Sequence, residues 1–559
     1  MILSTLKKLN KIYKDTGFSY KYIFLLSFVT SLTLSVFEGF FLGVIFNLTS
    51  SLLGKTYQTI NFFENSIFDF QNLNEILILC AVIIIFITLL KILNIFFNTY
   101  LYFKINTVVS KKIFKKILFQ SIDFHKNINS SKIISTLSEK SKSVGEITFF
   151  LLSILRCTCI LLMITISTIY ISSKEFVLIT LIFFLLYFLI YLIFKKKMNN
   201  YGIDIANQND KIIKNIQESL SSIIFILLYK SQKSISNKFY KIVSSLRKSQ
   251  AKVVFLASVP FIFVQTFGFL LIIYLIYLFD VKDNFVTLIP FLAMGLVAIQ
   301  RLLPNFNEIF SSISTIKALE QNFIDTQNLV DLKINEVNFD KKINEVNFSK
   351  NIRFENVNFS YEKNKFVLND INLQIQKNSI FGIMGSTGSG KSTIVNLLLG
   401  FNRPDKGNIY IDDKILSDSE ILNWQENLSY VPQRVYLLDD TIITNITLEE
   451  KTNKVNFDLL NEAVKFAELE KFISLQKDGI HHVIGEDADK ISGGQKQRIG
   501  IARAIYKNTN TLILDESLNS LDNNTKERIL NKFKSINKTI VLISHQKNDL
   551  KICDEIFEI

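Results

Sequence analysis

Apolar residues crowd the first 310 positions in runs of about 20, the length that crosses a bilayer. Six such runs stand out, at 20–46, 75–99, 147–172, 176–194, 253–279 and 285–304. The polar gaps after the first, third and fifth are short or moderate. Those after the second and fourth are long, and they keep helical spacing, as in Ile212, Ile216, Leu220 and Ile223. This pattern predicts membrane helices that continue beyond the bilayer in pairs, with turns near His125–Ser131 and Ser221–Tyr229. From about residue 351 the apolar runs shorten to strand length, and Asn, Asp and Lys rise. The expected organisation is an α-helical membrane domain over 1–320, a linker over 321–350 and a soluble α/β domain over 351–559. The linker holds a near-tandem repeat, Lys333-Ile-Asn-Glu-Val-Asn-Phe339 and Lys342-Ile-Asn-Glu-Val-Asn-Phe348. Two copies fit a local duplication better than a solenoid.

Charge adds an orientation. The chain has 559 residues, 48% of them hydrophobic, and a net charge of +13. The excess of lysine sits in the long gaps, at Lys104, Lys111, Lys112, Lys115 and Lys116 and again at Lys195, Lys196, Lys197, Lys211 and Lys214. The 47–74 gap carries Glu64 and Asp69 against Lys55. The positive-inside rule therefore places the N-terminus, both long gaps and the α/β domain in the cytoplasm. Topology and anionic lipid account for these lysines, so no nucleic-acid partner is expected. The basic N-terminal stretch, leading into an apolar run without a small-residue cleavage site, reads as an uncleaved first span. Cys80, Cys157, Cys159 and Cys553 have neither disulfide nor metal spacing.

The chemistry begins at Gly385-Ser-Thr-Gly-Ser-Gly-Lys-Ser-Thr393, which follows a strand-length apolar run and opens a helical one. Strand, glycine loop and helix form a phosphate cradle, lined by backbone N–H groups and a helix N-terminus. Gly385, Ser386, Gly388, Gly390 and Thr393 build the cradle. Lys391 is suited to the β/γ-phosphates and Ser392 to Mg²⁺. Thr511-Leu-Ile-Leu-Asp515-Glu516 is a buried-type strand ending in two carboxylates. Asp515 would hold Mg²⁺ through water, and Glu516 would act as general base on the attacking water. Gln433, after Tyr430-Val-Pro, is placed to sense Mg²⁺ and the γ-phosphate. His545, at the end of an apolar strand, can contact the γ-phosphate, and Tyr361 can stack on adenine.

Ile491-Ser492-Gly493-Gly494-Gln495, followed by Lys-Gln-Arg498, is the most discriminating stretch. With it the chain resembles the ATP-binding cassette (ABC) transporters, differing from the family's Leu-Ser-Gly-Gly-Gln signature only by Ile491. Six spans before the cassette resemble the exporter branch. The resemblance implies an ABC exporter fold with an α/β P-loop nucleotide-binding domain, ATP and Mg²⁺ as cofactors, and a homodimer in a bacterial cytoplasmic membrane. Each ATP would then meet Ser492, Gly493, Gly494 and Gln495 of the other subunit. It also implies a dimer-contact loop at Asn519-Ser-Leu-Asp522, and a membrane-domain contact near Gly485-Glu486.

The substrate signal is in the helices. Glu38 lies inside the first span, Lys91 in the second, Arg156 in the third and Arg301 at the cytoplasmic end of the sixth, where snorkelling is one role open to it. Glu38-Gly39, His125–Ser131 and Arg301-Leu-Leu-Pro304 together resemble a glycan-associated subgroup of exporters that includes the flippase of lipid-linked oligosaccharides. That resemblance implies inner-to-outer-leaflet movement of an amphipathic substrate, with Glu38, Arg156 and Arg301 as substrate-site candidates. Span five lacks the charges expected in that subgroup and offers Phe261, Phe263, Phe267 and Phe269 instead. Those side chains favour the other reading, export of a peptide, toxin or drug. From a different class comes a non-transporting ATPase whose cassette only signals or gates; intact Lys391, Glu516 and His545 speak against a dead ATPase, and six spans against a soluble DNA-repair or translation ATPase.

Overall fold

The computed structural model describes residues 9–13, 21–53, 73–171, 175–278, 281–333, 348–362, 365–386, 388–417, 420–449, 452–485 and 491–559. The chain divides into two compact units, Met1–Glu336 and Val337–Ile559.

Among the described residues of the first unit are six long helices: α1 (Lys21–Leu52), α2 (Leu73–Leu118), α3 (Lys142–Ile171), α4 (Glu175–Ser221), α5 (Gln232–Leu278) and α6 (Val281–Val330). Each holds the described residues of one of the six apolar runs. Among the described residues, four stretches are long and apolar enough to cross a membrane: Lys21–Leu52, Leu73–Leu118, Ser130–Tyr170 and Gln232–Phe267. The 46 residues of α2 reach about 69 Å, more than twice a hydrocarbon core of about 30 Å. Its buried residues form one stripe through the apolar and the basic halves alike: Ile83, Ile87, Leu90, Asn94, Asn98, Leu101, Ile105, Val109 and Ile113. That spacing of three and four keeps a single face against its neighbours. In α1, Ser27, Ser31 and Ser35 are all buried at intervals of four. Small residues let helices approach closely. At Gly39 a Cβ would stand 2.8 Å from Ser167 Oγ and 3.2 Å from the Met163 carbonyl on α3.

The expected tips are short helices rather than plain turns, at Ile122–Asn127, Ser130–Ser135 and Ile223–Leu228. Ser121 and Asn129 cap the first two. The last long helix runs on to Val330, past the boundary expected at 320, and Lys116 closes it by donating to the Leu332 carbonyl at 2.7 Å. Most of the Lys333–Phe348 repeat, and Glu486, lie outside the described residues.

The second unit has two sheets. An antiparallel sheet has the order β2-β1-β4-β5, from β1 (Asn351–Glu362), β2 (Lys365–Gln376), β4 (Lys406–Ile411) and β5 (Lys414–Ile415). A parallel sheet has the order β6-β7-β8-β3-β9, from β3 (Ile380–Met384), β6 (Leu428–Val431), β7 (Thr511–Asp515), β8 (Thr539–Ile543) and β9 (Glu555–Glu558). Every residue of β7 and β8 is buried, as expected for strands covered on both faces. In a parallel sheet all strands end on one edge, and ligands bind there. Register fixes the level: Asp515 pairs with Ile543, and Ile543 with Ile383. The ends of β3, β7 and β8 are therefore neighbours before any loop is considered.

Candidate functional site

The glycine loop leaves β3 at Met384 and enters α7 (Lys391–Leu398). Two backbone positions require glycine. Gly388 has φ +87° and Gly390, the cap of α7, has φ +107°, both in the left-handed region. Lys391 folds back on the loop and donates to the carbonyls of Gly385 (2.8 Å) and Ser386 (2.9 Å). Its ammonium is 3.9 Å from Glu516 Oε1. Thr393 is buried, Ser392 is exposed, and the Tyr361 hydroxyl lies 3.4 Å from Thr393 Oγ1. The Tyr361 ring is half exposed and packs in a T-shaped arrangement with Phe359, their centroids 4.9 Å apart.

The carboxylate pair stands at the end of β7. Glu516 has φ +47°, a left-handed conformation that costs a non-glycine residue about 1–2 kcal/mol. Its N–H is pinned to the Ile543 carbonyl at 3.0 Å. Gln433 Nε2 donates to Glu516 Oε2 at 2.8 Å, and Asn519 Nδ2 reaches the same oxygen at 3.5 Å. His545 Nδ1 is 3.8 Å from Glu516 Oε1. Tyr430, a residue that sequence reasoning passed over as part of the run before Gln433, donates its hydroxyl to Asp515 Oδ2 at 3.2 Å. Burial pushes the Asp515 carboxyl above the usual aspartate range and the nearby Glu516 adds to this, against the Tyr430 hydrogen bond and Lys391. Burial likewise raises the Tyr430 hydroxyl.

The loop bearing His545 rests on a second buried pair. Lys526 donates to Asp549 Oδ1 at 3.0 Å, and Ser544 Oγ to Asp549 Oδ2 at 3.0 Å. Nothing in the local sequence pairs residues 23 apart across a strand and a loop.

These groups fit a nucleotide and a divalent cation. The buried Ser389 hydroxyl has no hydrogen-bond partner, and nothing stands within 4 Å of a Cβ placed on Gly388. Ser392, Gln433 and Asp515 would hold Mg²⁺, which neutralises phosphate charge when bound. The site thus brings together Tyr361, Gly385, Ser386, Gly388, Gly390, Lys391, Thr393, Gln433, Asp515, Glu516 and His545. The signature residues lie elsewhere in the chain. Ser492 caps α8 (Gly493–Tyr506), and its side chain and that of Gln495 form a reciprocal capping box, at 3.2 and 2.8 Å. Gly493 and Gly494 lie against Ser520, and a Cβ on Gly494 would stand 2.9 Å from the Ser520 carbonyl.

A second polar cluster lies in the helices. Glu38 is 2% exposed, and its Oε1 meets Lys91 Nζ at 2.6 Å and Arg301 Nη1 at 3.3 Å. Glu38 Oε2 is buried without a partner. Arg301 therefore does not snorkel. It turns inward from the middle of α6, with its guanidinium 5.5 Å from the Phe41 ring centroid. Arg156 forms an ion pair with Glu308 and donates to Asn94 Oδ1 at 3.2 Å. Asn94 in turn donates to Ser31 Oγ at 2.8 Å. Beyond the apolar runs, Lys140 is fully buried between Asp210 (2.8 Å) and Asp325 (2.6 Å).

Two family models match the chain: ABC transporter transmembrane region at residues 22–279, and ABC transporter at residues 368–519. A Rickettsia typhi protein whose name pairs export with ATP binding and permease is 38% identical over 210 residues, 37% of this chain and 36% of that one. This chain thus matches little more than a third of that relative's length. The lactococcin-G-processing and transport ATP-binding protein of Lactococcus lactis is 28% identical over 85% of this chain and 68% of its own. The ATP-dependent lipid A-core flippase of Haemophilus ducreyi is 26% identical over 81% of this chain and 78% of its own. The solved structure of a bacterial Atm1-family ABC exporter with ATP bound superposes with TM-score 0.81 at 19% identity, covering 97% of this chain and 94% of that one. The chain therefore carries both the transmembrane region and the ATP-binding domain of ABC transporters, in the ABC exporter fold.

Proposed function

We propose that two copies of the chain use ATP binding and hydrolysis to move an amphipathic substrate, a lipid-linked oligosaccharide, from the inner to the outer leaflet of a bacterial cytoplasmic membrane. Gly385–Thr393, Gln433, Asp515, Glu516 and His545 of one copy would share each ATP and its Mg²⁺ with Ser492, Gly493, Gly494 and Gln495 of the other. ATP favours the closed cassette pair, and closure favours the outward-facing helices.

The observation that carries the substrate class is the cluster around Glu38. Lys91, Arg156 and Arg301, each within an apolar run, stand against Glu38 and Glu308, one cation in excess among these five residues. Unpaired charges in that setting cost several kcal/mol, so they pair with one another or line a substrate path, and the cation in excess is the one left for a polar ligand. Guanidiniums suit a phosphate or pyrophosphate head, while the lipid tail stays in the bilayer. The name of the Haemophilus ducreyi relative, a lipid A-core flippase, fits a lipid with a sugar head.

The second reading is peptide export. The exposed Ile262, Phe263 and Phe267 on α5 suit an apolar peptide, and the Lactococcus lactis relative is named for lactococcin G.

Purified protein in proteoliposomes separates the two. The readout is ATP-dependent loss of leaflet-protected lipid-linked oligosaccharide, with Glu516→Gln as the inactive control. Movement by wild type alone, reduced in Glu38→Gln and Arg301→Ala, supports the flippase. Vigorous ATPase activity without movement sinks it and puts peptide export first.

A further inference from the structure

Three segments of the cassette meet on one buried amide. Gln497 lies one turn inside α8 and is 4% exposed. Its Oε1 accepts from the Ser520 N–H at 3.0 Å, and its Nε2 donates to the Gln433 carbonyl at 3.4 Å. Both arms lead to the same atom. Gln433 holds Glu516 Oε2 at 2.8 Å, and Asn519, next to Ser520, reaches that oxygen at 3.5 Å. An acceptor and a donor in a buried position each need a partner, and these two bonds supply them. Beyond Ser520 lie Gly493 and Gly494, the first turn of the same helix.

We propose that Gln497 is a positioning residue for hydrolysis: it fixes the two loops that hold Glu516 Oε2, and so ties the placement of the general base to the placement of α8. Resting on the paired reading above, the consequence is directional. When the N-terminus of α8 engages the nucleotide of the other copy, the displacement reaches Glu516 of its own copy through Gln433 and Ser520. Each site is then informed of its neighbour's occupancy by one side chain. A general base displaced by about 1 Å loses up to about 100-fold in rate, so a link of this kind matters to turnover without touching ATP.

The test uses full-length protein in nanodiscs with Gln497→Met, which keeps length and volume but offers neither arm, and Gln497→Glu, which keeps only the acceptor for Ser520. Thr509→Val serves as a matched loss of a buried hydrogen bond, since Thr509 is bonded to Ser429 at 2.7 Å away from these loops. Gln497→Met is expected to lower kcat about 10- to 100-fold, with fluorescent-ATP affinity within about twofold of wild type and the Hill coefficient for ATP falling toward one. Gln497→Glu should fall between. Wild-type kcat and cooperativity in Gln497→Met overturn the proposal, as does a loss of kcat no larger than that of Thr509→Val. Absence of ATP cooperativity in wild type itself would instead remove the paired reading, while the kcat comparison still decides whether Gln497 positions Glu516.

Discussion

Gln433 and Glu516, 83 positions apart, are joined by a 2.8 Å hydrogen bond from the amide of one to the carboxylate of the other. In the proposed role of general base, Glu516 must be free to take a proton from water, yet be held in one rotamer. Here one oxygen, Oε2, is held by Gln433, while Oε1 faces Lys391 and His545 at 3.9 and 3.8 Å. The division of labour between the two oxygens gives the first expectation.

Glu516→Gln keeps the shape and the bond-forming capacity of the side chain but removes its basicity. ATP binding, read with a fluorescent analogue, should stay within about twofold, while kcat falls by about 10²–10⁴. Hydrolysis at the wild-type rate would take Glu516 out of the reaction.

Asp515 makes a prediction of opposite sign for stability and for activity. Its folded pKa lies above the unfolded one, because burial disfavours the charge. Such a carboxyl stabilises the fold below the ordinary aspartate pKa of about 3.9, and that contribution is lost as pH rises through the folded pKa. At neutral pH its ionisation is a net cost. Nucleotide-free Asp515→Asn should therefore melt higher than wild type at pH 7.5, with the gap closing toward pH 4, while Mg²⁺-dependent hydrolysis is lost. The one tryptophan, Trp424, is fully buried in the cassette, so its fluorescence reports that unit alone. A lower melting point for Asp515→Asn at pH 7.5 would contradict the assignment.

Lys140 is the sharpest stability test in the helical unit. Replaced by Met, it leaves Asp210 and Asp325 facing one another with no cation between them. Breaking a buried pair in this way costs about 3–5 kcal/mol. Neutralising both carboxylates as well, in Lys140→Met/Asp210→Asn/Asp325→Asn, should restore more than half of the lost stability in detergent unfolding. A single Lys140→Met variant as stable as wild type would show that the triad contributes nothing net.

What could be read from the sequence divides by the range of the interactions involved. The six helices and the glycine loop were legible because their signals are local: an apolar run of bilayer length, a strand-loop-helix with glycines where φ must be positive. The strand ending in Asp515-Glu516 was legible for the same reason. Glu38 could be flagged, since a lone carboxylate in an apolar run demands a cation, but not its choice of Lys91 and Arg301, which depends on how α1, α2 and α6 pack. Arg301 stands near the end of the sixth apolar run, a place that suggests snorkelling, and only the packing of α6, which continues to Val330, turns it inward. Tyr430, Gln497 and the Lys526–Asp549 pair left no trace in spacing. Each is a polar residue of ordinary type whose partner is supplied by a different strand or loop.

The uninterrupted stripe of α2 limits the kind of stroke this molecule can make. Its buried residues recur at three and four along nearly the whole helix, so the helix sits in its neighbours as a ratchet pawl sits in teeth. Sliding along its axis would have to skip a whole turn, about 5.4 Å, and unseat every tooth at once. Rocking disengages the teeth at one end only. A rod of about 69 Å held this way is a lever, and a small tilt at its basic end becomes a wide excursion at its apolar end.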